Sequence, residues 1–150
     1  MIPILHKTSA ALATLLIATL WTATVVSEVF LSQAAIIAVK TTVPYGVMLL
    51  IPAIATAGAT GFRLAKGRRG GVLGAKARRM PFVAANGVLI LIPAAFYLAT
   101  KAQAVSFDAA FYIVQALELA AGAVNLTLMA LNIRDGRKMT AGKRGAGKRG

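Results

Sequence analysis

Four long apolar runs decide what this chain can fold into. They cover residues 8–30, 42–62, 81–100 and 107–132, and polar or basic segments separate them. A transmembrane helix needs about 20 mainly apolar residues at 1.5 Å of rise each. In lipid the backbone must satisfy its own hydrogen bonds, which a helix does and an open strand does not. The expectation is therefore an all-α, polytopic transmembrane four-helix bundle over residues 1–136, with a basic tail at 137–150. Hydrophobic residues make up 58% of the chain and charged ones 14%, against roughly 45–50% and 25% in soluble domains. The first run exceeds the 7–15 apolar residues of a signal peptide and has one lysine before it, so it reads as a retained span.

Local signals set the expected boundaries. Pro44 and Pro81 suit the first turns of the second and third spans. Ser106 is a good N-cap for the fourth, Asp108 suits its first turn, and Gly136 suits its end. Residues 32–41 read as a connector in which 34–39 are either an interfacial turn or an extension of the second span. Glu28 and Lys40 flank that turn and read as a surface pair, which contributes little.

The net charge of +13 is not spread evenly. Arg63, Lys66, Arg68, Arg69, Lys76, Arg78 and Arg79 lie between the second and third runs, and a similar block follows the fourth. With Lys7, fifteen of the seventeen cations fall on one side, and Lys40 and Lys101 are left for the other. The positive-inside rule then places both termini in the cytoplasm, N-in and C-in, in a multi-pass protein of the bacterial inner membrane. The seven cations of the loop face anionic lipid headgroups, each worth about 1 kcal/mol near the surface. Gly67, Gly70, Gly71 and Gly74 argue against a stable helix there. The tail ends in AGKRG twice and has no apolar surface to bury, so disorder is expected from residue 137. A sequence pI near 11.3 would suit nucleic acid. Segregation of the cations between apolar runs favours topology instead.

Several chemistries are excluded or disfavoured. There is no cysteine, one histidine and four acidic residues, so thiolate sites, bis-His sites and carboxylate cages are ruled out or starved of ligands, and no metal site is expected. Gly71, Gly74 and Lys76 do not fit a phosphate-binding loop, and H-E-x-x-H and G-x-S-x-G are absent. No catalytic residue stands out, so an enzyme is not favoured. His6 is the one axial ligand the chain offers a haem b. A bland interfacial histidine is the stronger reading, and no cofactor is expected.

The fourth run carries the feature that asks for a function. Gln115, Glu118, Gly122, Asn125, Met129 and Asn132 are spaced 3, 4, 3, 4, 3 and share one helical face. Small residues at 121–123 would admit a neighbouring helix closely. Glu118 lies roughly 16 Å into the span by helix rise. A charge near the bilayer centre costs about 2.5–3.5 kcal/mol. Glu118 is therefore expected to stay protonated and to donate to a threonine, or to a carbonyl freed by Pro52 or Pro93. It is either a proton- or ion-handling carboxylate or a neutral helix lock worth about 0.6–2 kcal/mol. Asn86 lies at the depth of Asn125, and an amide pair between them is expected as structural glue. Residues 46–53 and 87–94 match at six of eight positions, each with a mid-span proline that should loosen its helix. Chance recurrence in apolar spans explains this match better than an inverted transporter repeat.

The resulting expectation is a small integral inner-membrane protein, a non-enzymatic accessory, assembly or scaffold subunit. Its polar stripe would meet a membrane-protein partner or a second copy of the chain. The alternatives are a small oligomeric transporter or proton-coupled channel using Glu118, and a redox or quinone-linked subunit.

Overall fold

The computed structural model describes residues 1–65 and 71–146, and within them the side chains of residues 1–64 and 79–137. Lys66, Arg68 and Arg69, the side chains of Lys76 and Arg78, and residues 147–150 lie outside the described residues. Every regular element described is helical: α1 (Ile2–Phe30), α2 (Gln33–Ala65), α3 (Gly71–Asn86), a π-helical segment (Gly87–Leu91), α4 (Ile92–Gln103) and α5 (Ala109–Ala146). Among these residues four stretches are long and apolar enough to cross a membrane: Ile2–Phe30, Gln33–Leu64, Arg79–Gln103 and Ala109–Arg137.

The connections differ from expectation. The turn after α1 is only Leu31 and Ser32. Leu31 leaves the helix in an extended conformation, and the Ser32 carbonyl already accepts the Ile36 N–H at 3.1 Å. Residues 34–39 are thus helix, and Lys40 lies about 10 Å inside α2 by helix rise. Glycine did not prevent helix over residues 71–80, nor at Gly136, where α5 continues to Ala146 instead of stopping. A helix-interior glycine costs only about 1 kcal/mol, which a long helix absorbs.

α4 ends in a Schellman turn. The Ser106 N–H reaches the Lys101 carbonyl and the Val105 N–H reaches that of Ala102. Val105 holds the left-handed position, φ 53°, that glycine usually fills. Asp108, not Ser106, caps α5: its Oδ1 accepts the Phe111 N–H at 2.9 Å.

The matching octapeptides adopt different helices. In α2 the chain stays α-helical through Pro52. Ahead of Pro93 it widens to π, and the Ile92 N–H bonds the Gly87 carbonyl five residues back. Proline removes the donor that would have closed the turn at residue 89, and the wider turn is one response to that loss.

Small and β-branched residues bring the helices together. Gly46 admits Leu20, whose Cδ2 would lie 2.6 Å from a Cβ placed there. Ala13, Ile17, Leu50, Ala53, Val83 and Met129 form the core shared by α1, α2, α3 and α5. Near the start of α5, Phe111 packs with Leu98 and Ala102, and Ile36 and Ile37 close over them. Large apolar side chains such as Leu15, Tyr45, Met48, Phe62, Leu89 and Ile113 stay exposed. That is the surface expected of helices meant for lipid.

Candidate functional site

The polar stripe of α5 faces the chain's own helices. Gln115, Glu118, Asn125 and Asn132 are all buried, so the stripe does not look outward to a partner. A seam of polar contacts runs along it.

At its centre is an ion pair. Lys40 Nζ donates to Glu118 Oε2 at 2.6 Å, and the lysine side chain is 0% exposed. The expected partner for Glu118 was a threonine or a freed carbonyl; the partner present is a full positive charge. Lys40 was expected at the surface opposite Glu28. It is instead among the largest fully buried side chains. Glu28 remains nearby, half-buried near the end of α1, and interacts electrostatically with both Lys40 and Glu118.

Farther along α5, Gly122 receives Trp21 of α1. A Cβ at Gly122 would lie 2.7 Å from the indole Cδ1, and the indole Nε1–H donates to the Leu119 carbonyl at 2.9 Å. A cavity of about 60 Å³ lies here between α1, α2, the π segment and α5. Trp21, Thr24, Val47, Leu91 and Leu119 line it, and Glu118 is its charged wall. It has room for a few water molecules.

The next contacts join α3 to α5. Asn86 Nδ2 donates to Asn125 Oδ1 at 2.8 Å and to the Ala121 carbonyl at 2.9 Å. Asn125 Nδ2 returns a bond to the Val83 carbonyl at 3.4 Å. Nearer the basic end, Asn132 Nδ2 approaches Met80 Sδ at 3.4 Å. Arg79, expected to face lipid headgroups, donates to Asp135 Oδ2 at 2.7 Å. Arg63 is exposed at the end of α2. His6 Nδ1–H bonds the Ala57 carbonyl at 3.0 Å and Thr60 Oγ1 at 3.2 Å, tying the start of α1 to α2. At the opposite end Asp108 pairs with Lys101. That hydrogen bond first, and the Phe111 N–H second, hold the Asp108 carboxyl below its ordinary range.

Comparison with protein-family models, with curated proteins and with solved structures finds no match to this chain.

Sequence reading missed the roles of Lys40, Trp21 and Asp135. One signal was available for Lys40: a lone lysine between apolar residues on both sides, in a chain whose fourth span holds a lone glutamate.

Proposed function

We propose that this chain is a small integral protein of the bacterial inner membrane, a four-helix bundle with both termini in the cytoplasm. It works there as a non-enzymatic accessory or scaffold subunit. The observation that supports this is the seam: α5 is joined to α1 by Trp21, to α2 by Lys40 and to α3 by Asn86 and Arg79. Sliding or rotating α5 would strand buried polar groups at about 1–3 kcal/mol each, so the seam holds one packing. A partner docks on the exposed apolar faces rather than on the stripe, and the exposed cations of the basic end meet anionic headgroups.

The test is isolation of the tagged protein in mild detergent. The expected result is co-purification with a larger membrane complex that survives Glu118→Gln, since that change leaves the outer surface intact. Recovery of the bare chain alone, or loss of the complex in a Glu118→Gln protein that is still folded, would overturn the reading. A reporter fused to the C-terminus should stay on the cytoplasmic side.

The buried charge favours a second reading, a proton-coupled carrier or channel working through Glu118, because intramembrane ionisable residues are commonly functional. Ion flux in proteoliposomes that stops with Glu118→Gln would select it over the scaffold.

A further inference from the structure

A helix lock accounts for most of the seam but not for all of it. Glu28 Oε1 is buried with no hydrogen-bond partner, and both Nε2 and Oε1 of Gln115 are buried with none. Gln115 is only 4% exposed. It lies one turn before Glu118 on the same face of α5, between Glu118 and the Phe111 that packs with Ile36 and Ile37. Lys40 acts electrostatically on both Glu28 and Glu118, but its ammonium is bonded to Glu118. That leaves one surplus negative charge on a half-buried side chain whose Oε1 is buried without a protein donor, where an unpaired charge carries a desolvation cost.

The charged groups within electrostatic range of Glu28 are Lys40 from α2 and Glu118 from α5. At the same end Lys101 and Asp108 neutralise each other, so among the described residues no second cation is paired with Glu28. The neutralising ligand is either a proton or a monovalent cation. A metal ion is the poorer occupant: the Lys40 ammonium already holds the cationic position, and among the described residues no three His, Cys, Asp or Glu side chains converge on a metal position.

We propose that Glu28 is a proton-binding carboxylate, and that water separately bonds the unpartnered Gln115 amide. Glu28 sits two residues before the end of α1, about 3 Å by helix rise, so it exchanges with water at the end away from the basic clusters. The step is a simple balance. Hydronium gives one proton to the Glu28 carboxylate and leaves water, the surplus charge goes from −1 to 0, and the Lys40–Glu118 pair stays intact. Water has both the donor and the acceptor that the Gln115 amide lacks. The site stands whether the protein is a scaffold or a carrier.

The experiment uses the full chain in lipid nanodiscs. Infrared difference spectra between pH 8 and pH 5 should show a protonated-carboxyl band that is lost in Glu28→Gln, and that weakens in Glu118→Gln because Lys40 is then free to neutralise the Glu28 carboxylate. In parallel, thermal melting followed by Trp21 fluorescence should rise on acidification in the native protein, because the folded state then binds the additional proton. It should be flat over that range in Glu28→Gln. Replacing sodium by N-methylglucamine at pH 8 should leave melting unchanged; a sodium-specific stabilisation would assign the charge to a cation and overturn the proposal. A band or a melting slope that persists in Glu28→Gln would also overturn it.

Discussion

Replacing Lys40 with methionine is the most informative change to the folded protein. At 2.6 Å, the direct attraction between Lys40 and Glu118 is about 6 kcal/mol with an effective dielectric near 20. Most of that is offset in the native protein by removing both ions from water, so the pair adds little net stability. Lys40→Met keeps the apolar stem and removes the charge, which strands the Glu118 carboxylate. The stranded group can be neutralised by taking a proton from bulk water, at about 3.7 kcal/mol at pH 7 from the ordinary glutamate value. The expected loss of stability is therefore about 3–4 kcal/mol, in the range for breaking one side of a buried pair. The penalty should shrink by about 1.4 kcal/mol for each pH unit below 7, as protonation becomes easier. Replacing Glu118 with methionine as well removes the stranded charge, and the double variant should return to within about 1 kcal/mol of the native protein.

Trp21 provides the assay. It is the chain's one tryptophan and lies against Gly122, in the cavity wall that also includes Glu118. Its fluorescence through a denaturing-detergent titration reports unfolding directly. The reasoning fails if Lys40→Met costs less than about 1 kcal/mol, if its cost does not change with pH, or if the double variant loses the sum of the single losses.

Three further outcomes follow from local geometry. Val105→Gly should raise stability by about 1 kcal/mol, because it relieves a β-branched residue held in the left-handed region; melting temperature measures it, and a decrease refutes the strain. Gly122→Ala should cost about 1–3 kcal/mol by pushing the Trp21 ring from its seat, with an accompanying red shift in its emission. Asp108 contributes a cap and an ion pair that hold its carboxyl below the ordinary value. That contribution is present above the unfolded value near 3.9 and is lost as pH falls through the lower folded value, so Asp108→Ala should melt lower at pH 7 and the difference should vanish in strong acid.

The helices were legible because lipid imposes a rule that can be counted along the chain. Apolar length locates the four runs to within a few residues at most ends; proline position does not, because Pro44 and Pro81, expected in first turns, lie inside helices that begin at Gln33 and Gly71. The shared face of Gln115, Glu118, Asn125 and Asn132 was legible for a related reason: spacing within one helix is a local property. What the stripe touches is not local. Reading residues 32–41 as a connector put Lys40 in water, whereas a turn of only Leu31 and Ser32 carries it two helical turns inward. No hydropathy value separates these cases, because a lysine counts as polar whether it ends a span or is buried within one. The same holds for Arg79, counted as a topology signal yet bonded to Asp135.

Charge counting nevertheless gains meaning once the contacts are known. Lys40 no longer belongs to the sparse cations of the far side, which leaves Lys101 there with Asp108 as its partner. The sidedness of the remaining cations along the sequence is sharper than the raw count suggested, which supports the proposed orientation. Removing Lys40 from the surface also removes the partner assumed for Glu28. The proposed orientation and the proposed proton site thus depend on the same lysine: the more firmly Lys40 belongs to Glu118, the less it can neutralise Glu28.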